Sequence, residues 1–179
     1  MKKANSKKSR IGLGAQIVAA VLLPLGGACG QQSLERVEKA VEKAYAAEHL
    51  PAETLHRALA GSDSAAYLLF DVRQPGEYAV SRIGPALQVD PEASADDFIA
   101  AHGAALAGRR VVFYCSVGYR SSKLLKRVER AAVGAGAVSL ANLRGGIFRW
   151  HNEGLPLEAD GDTARVHPYD RHWGRLLNK

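Results

Sequence analysis

Two apolar runs constrain this chain more than any other feature: Tyr67–Val72, read as YLLFDV, and Arg110–Tyr114, read as RVVFY and followed by Cys115. Before its acid, the first is apolar at consecutive positions, the pattern of a strand covered on both faces in a parallel sheet. Shorter strands are expected over Ala86–Val89 and Val138–Leu143. Helices fall between them. Ala93–Ala101 has Phe98 inward and Gly103 just past its end. Ser121–Ala132 turns Leu124, Leu125 and Val128 inward and Lys123, Lys126 and Arg127 outward, and Ile147–Asn152 stops near Gly154-Leu155-Pro156. Gln74-Pro75-Gly76 reads as a turn. Strands alternating with helices predict a three-layer α/β domain with a mostly parallel central sheet. Ligands of such sheets sit beyond the carboxyl ends of the strands, where Cys115 falls.

Upstream of the sheet, Ser33–Leu50 has the spacing of an amphipathic helix, with Ser33 as N-cap, Leu34, Val37, Val41 and Tyr45 on one face, and Glu35 and Lys39 placed for an i,i+4 pair. Pro51 opens a second short helix at its first position, with Leu55, Ala58 and Leu59 inward and Gly61 at its end. Met1–Arg10 is basic, and Ile11–Ala28 is apolar, uncharged and closed by Gly26-Gly27-Ala28. This is the composition of a secretory signal peptide, with an uncleaved membrane anchor as the alternative. Cys29 follows directly, as the acylated cysteine of a bacterial lipoprotein would, although Gly26 stands where leucine is usual. The expected divisions are a leader at 1–28, a helical segment at 29–54, the α/β domain at 55–158 and a tail at 159–179.

Charge follows the same division. The net +6 of the 179 residues is concentrated in the leader: five of the 24 basic residues and none of the 18 acidic ones precede Cys29. The remainder is close to neutral, which argues against nucleic-acid binding. With two cysteines, Cys29 and Cys115, there is no disulfide framework and no C-x-x-C pair. A bridge between them would sequester the best candidate thiol. No metal or other cofactor is expected, because His49, His56, His102, His151, His167 and His172 form no close ligand motif.

The chemistry concentrates in Cys115–Arg120, CSVGYR, ahead of a helix start at Ser121. Gly118 permits a backbone geometry in which successive N–H groups turn inward as an anion-binding nest, and Arg120 adds a fixed positive charge. Together with the helix N-terminus these groups favour a thiolate and an anion beside it. Three segments then resemble the rhodanese homology domain in order: LLFDVRQPGEY, VVFYCSVGYRSS and NLRGGIFRWHNEGLPLE. The resemblance spans about Leu55–Glu158. One departure is Ser81-Arg82-Ile83-Gly84-Pro85-Ala86, where many members read G-H-I-P-G-A.

That resemblance implies a sulfurtransferase. Cys115 would be the nucleophile, passing sulfane sulfur from a small anionic donor to a thiol or cyanide-like acceptor. Ser116, Val117, Gly118, Tyr119, Arg120 and Ser121 would cradle the donor, with Arg120 on its anionic end. Asp71, Arg73 and Glu77 would brace the loop as a charged trio. A non-enzymatic sulfur carrier, sensor or partner-binding module is the alternative. Phosphatases of the same fold place five residues between cysteine and arginine, and this chain places four. The tail, through Tyr169, Trp173, Leu176 and Leu177, reads as a terminal helix docked on the domain; the sharper alternative is a flap offering Arg171 or His172 to an anion. If Cys29 is acylated, cells expressing the chain incorporate labelled palmitate, and Cys29→Ser abolishes that incorporation. Equal labelling of the variant overturns acylation at Cys29.

Overall fold

A computed structural model describes residues 33–159 and 165–178. The expected leader, with Cys29, lies outside the described residues. Five parallel strands form one sheet in the order β1-β5-β4-β2-β3, comprising β1 (Glu48–Leu50), β2 (Tyr67–Asp71), β3 (Leu87–Gln88), β4 (Arg110–Tyr114) and β5 (Ser139–Leu143). Among the described residues, six helices accompany it: α1 (Leu34–Ala44), α2 (Ala52–Ala60), α3 (Pro75–Val80), α4 (Ala95–Leu106), α5 (Tyr119–Gly134) and α6 (Gly146–Asn152). A 3-10 turn, Trp173–Leu176, lies in the tail.

Period-two geometry splits the central strands between two cores. Leu69, Val112, Tyr114 and Leu143 join Val37 and Val41 of α1, Leu55 of α2 and Ile147, Phe148 and Trp150 of α6. Phe70, Val111, Phe113 and Cys115 join Phe98 and Leu106 of α4 and Leu124, Leu125 and Val128 of α5. Both faces are therefore dry, as the unbroken apolar runs require. Strand β4 runs between β2 and β5, with Asp71 opposite Tyr114 and Phe113 opposite Asn142. This register brings the ends of β2, β4 and β5 to one rim of the sheet.

Several boundaries differ from expectation. Helix α1 ends at Ala44, and Glu48–Leu50 pairs with Ala141–Leu143 as an edge strand. Ladder bonds to β5 outweigh the helical spacing there. Ser33 occupies the N-cap without a side-chain cap bond, and Glu35 bonds Arg149. Pro51 lies one position earlier than expected, as the N-cap of α2. The expected turn at Gln74-Pro75-Gly76 instead opens α3, where the Gln74 N–H donates to the Glu77 carboxylate at 3.0 Å. Helix α4 passes through Gly103 to bury Leu106. Helix α5 starts two residues early, at Tyr119, so Tyr119 and Arg120 belong to its first turn.

Asp71, Arg73 and Glu77 do not form one trio. Asp71 pairs with Arg73: Nε donates at 2.9 Å and Nη2 at 2.6 Å, with both side chains fully buried. The same Nη2 donates to the Ser81 carbonyl at 2.5 Å, and the buried Tyr114 hydroxyl accepts the Ile83 N–H at 3.1 Å. Residues Ser81–Ala86 are thus tied to the ends of β2 and β4. Asp71→Ala strands a buried guanidinium and should cost about 3–5 kcal/mol of unfolding free energy. Denaturant unfolding checks this, and a loss below about 1 kcal/mol overturns the bracing role.

Candidate active site

Cys115 leaves the end of β4 and is 1% exposed. The loop bends back at Gly118, whose φ of 95° falls in the left-handed region, and its N–H donates to the Cys115 Sγ at 3.2 Å. Its carbonyl then accepts the Ser122 N–H at 3.1 Å and the Ser122 hydroxyl at 2.7 Å, starting α5. The first N–H groups of a helix have no carbonyl of their own turn, so those of α5 are available to an anion beside the sulfur.

A second element fastens the loop from behind. The Ile147 N–H donates to the Cys115 carbonyl at 2.9 Å and the Phe148 N–H to the Ser116 carbonyl at 3.0 Å. Gly146 makes this approach possible. Its φ is 57°, and a Cβ there would collide with the Cys115 carbonyl. Beneath Gly118 sits the fully buried Asn142, which accepts the Ser121 hydroxyl at 2.6 Å and contacts His49 Nδ1 at 3.2 Å. A Cβ on Gly118 would stand 3.0 Å from the Asn142 amide nitrogen. The Gly-Gly pair after β5 was the available sequence signal for this clamp; Asn142 and Gly146 were not assigned to the site.

Arg120 corrects an expectation. Its Nη1 donates to Glu77 Oε2 at 2.7 Å, while Nη2 donates to Glu77 Oε1 at 2.8 Å and to the Ser116 hydroxyl at 2.9 Å. The ring of Tyr169 lies 4.9 Å from the guanidinium carbon. The fork expected to hold the donor therefore grips a buried carboxylate. Burial opposes the Arg120 charge, but Glu77 and the neighbouring Cys115 outweigh it and push the guanidinium pKa further up. Arg120 thus braces the loop and acts on sulfur through its field. Ser116, Val117 and Ser121 are buried, so the cradle they offer is chiefly backbone. Among the described residues, no group of three or more His, Cys, Asp or Glu side chains is placed to hold a metal ion.

A family model described as "Rhodanese-like domain" matches residues 52–153, and the chain belongs to that family. A curated protein named "Sulfurtransferase" from Allochromatium vinosum is 33% identical over 111 residues, covering 62% of this chain and 94% of that protein. The solved structure of a Pseudomonas aeruginosa thiosulfate sulfurtransferase superposes with a TM-score of 0.54 at 24% identity, covering 78% of this chain and 25% of the other. A rhodanese-like domain from Anabaena gives 0.50 at 20% identity, covering 68% and 89%. At these identities the structural matches speak to fold alone.

Glu77 makes the brace pH-dependent. Burial favours its neutral form, but Arg120, the Gln74 N–H and the Ser116 hydroxyl outweigh burial and hold its pKa below the ordinary carboxylate value. A carboxylate depressed on folding contributes stability above its unfolded pKa of about 4.3 and loses it as pH falls through the lower folded value. Calorimetric scans between about pH 6 and pH 3 should therefore show the Tm advantage of wild type over Glu77→Gln shrinking on acidification. A gap that stays constant with pH overturns this assignment.

Proposed function

We propose that this chain is a sulfurtransferase that carries sulfane sulfur on Cys115. Family membership and the relative named as a sulfurtransferase support the class; the Gly118 N–H on the Cys115 sulfur, at the start of α5, is the observation that carries the mechanism. The Cys115 thiolate attacks the outer sulfur of the donor, a new S–S bond forms, and the donor's remainder leaves with the electrons of the bond that breaks. Cys115 then holds a persulfide anion. A thiol or cyanide-like acceptor attacks that outer sulfur, and the S–S bonding pair returns to Cys115. This is two-step covalent catalysis. The backbone cradle from Ser116 to Ser121 meets the negative charge in both steps, while Arg120, held by Glu77, supplies field rather than contact.

Phosphate-ester hydrolysis is the weaker reading on two counts. Four residues, not five, separate Cys115 from Arg120, and the guanidinium that would grip a phosphoryl group is occupied by Glu77. Export completes the proposal and rests on the composition of the leader, with the chain either released outside the cytoplasm or held at the membrane.

Intact mass spectrometry after exposure to thiosulfate or an organic thiosulfonate should show a gain of one sulfur atom, absent in Cys115→Ser, and thiocyanate release on adding cyanide. No gain from either donor overturns sulfur transfer. A gain without turnover on cyanide or thiols overturns catalysis in favour of a carrier.

A further inference from the structure

The family match ends at residue 153, yet the chain comes back to the active loop. The Ser81 hydroxyl donates to the Arg165 carbonyl at 2.7 Å, and the Asn152 side chain donates to the Leu176 carbonyl at 2.7 Å. Val166 and Leu176 are buried. Between these anchors the backbone turns sharply. Asp170 Oδ1 accepts the N–H groups of His172 and Trp173, at 2.8 and 2.9 Å. At the crest is Tyr169, whose φ of 65° is the only positive value for a non-glycine among the described residues. A bulky side chain adopts that backbone where its surroundings over-determine it. The result is a tyrosine ring presented to Arg120. Next along the turn, the His172 ring lies edge-on to Trp173 at 5.9 Å.

Arg120 is thereby engaged along its edge by Glu77 and Ser116 and covered on one face by Tyr169. A donor approaching this rim meets a half-exposed ring, not an open guanidinium. Tyr119 adds a second ring in the first turn of α5, edge-on to Tyr45 at 5.7 Å. A compact dianion is costly to desolvate where the loop's own guanidinium is already taken by a carboxylate, whereas a monoanion with an apolar body gains contact area on rings. We infer that Tyr169, outside the matched domain, is a donor-specificity residue. Its ring forms one wall of the donor site and selects donors whose sulfane sulfur is attached to an organic, preferably aromatic, body, the thiosulfonate class, over inorganic thiosulfate. The inference rests on the sulfur-transfer reading above.

In that reaction the Cys115 thiolate attacks the terminal sulfur of R–SO2–S⁻. The Cys115 S–S bond forms, the S–SO2 bond breaks, and the sulfinate R–SO2⁻ departs with the bonding pair. Two negative charges stand on each side and no proton moves. The leaving sulfinate keeps R against the Tyr169 ring while the persulfide remains in the backbone cradle.

The test is steady-state thiocyanate formation from benzenethiosulfonate and from thiosulfate, using the full chain with wild-type sequence, Tyr169→Ala and Tyr169→Phe. The expected result is a higher kcat/KM for the aromatic donor in wild type. Tyr169→Ala should lower the ratio of the two donors about tenfold, through the KM of benzenethiosulfonate, and Tyr169→Phe should keep it. An unchanged ratio in Tyr169→Ala, or a wild type that favours thiosulfate, overturns this inference and leaves sulfur transfer standing. No sulfur gained by Cys115 from either donor overturns both. Because Tyr169 is half-exposed, its replacement should shift the Tm only slightly, and a variant that folds near the wild-type Tm separates a lost contact from a lost fold.

Discussion

The active loop depends on one ion pair, Glu77 with Arg120. Glu77 lies in the short helix after β2 and Arg120 in the first turn after β4, and the Ser116 hydroxyl bonds both. The pair therefore joins the carboxyl ends of two neighbouring strands across the mouth of the site. Only 4% of Glu77 is exposed, so its charge is tolerable only because the guanidinium fork and the Gln74 N–H surround it. The same bonds decide what Arg120 can do. A guanidinium gripping a carboxylate steadies the loop and places its charge near the sulfur, which leaves the backbone N–H groups at the start of α5 as the proposed receptor of an anion.

A second clamp works from the opposite side. The first N–H groups of α6 bond the carbonyls of Cys115 and Ser116, and Asn142 at the end of β5 holds Ser121 and underlies Gly118. These contacts need backbone approaching backbone, which is why Gly146 stands where any Cβ would collide. The thiol is consequently held between two fixed walls, each anchored to a different neighbour of β4. Rigid placement of this kind suits the two-step sulfur transfer proposed for Cys115.

Much of this was legible in the chain itself. The runs at β2 and β4 are apolar enough to announce a buried parallel sheet, and Cys-x-x-Gly-x-Arg ahead of a helical stretch announced a tight loop between a strand end and a helix start. Expectation and structure part where local spacing competes with tertiary pairing. His49 and Leu50 fit a helical stripe as well as a strand, and only β5 lying beside them decides for the strand. Gly103 looks like a helix stop, yet burial of Leu106 carries α4 past it.

What the amino-acid order determined alone was the candidate nucleophile and its immediate backbone: a thiol, a left-handed glycine three residues on, and a helix beginning beyond it. Those are near-neighbour properties, set by steric freedom and hydrogen-bond valence within a few residues. The partners of the charged groups were decided by the fold. Asp71, Arg73 and Glu77 sit within seven positions of one another, yet Asp71 pairs with Arg73 inside the sheet rim, while Glu77 reaches Arg120. Tyr169 reaches that same arginine from the far end of the chain. Charge and aromatic contacts act over distances that only packing brings close, so composition can name these side chains while the tertiary structure assigns what each one holds.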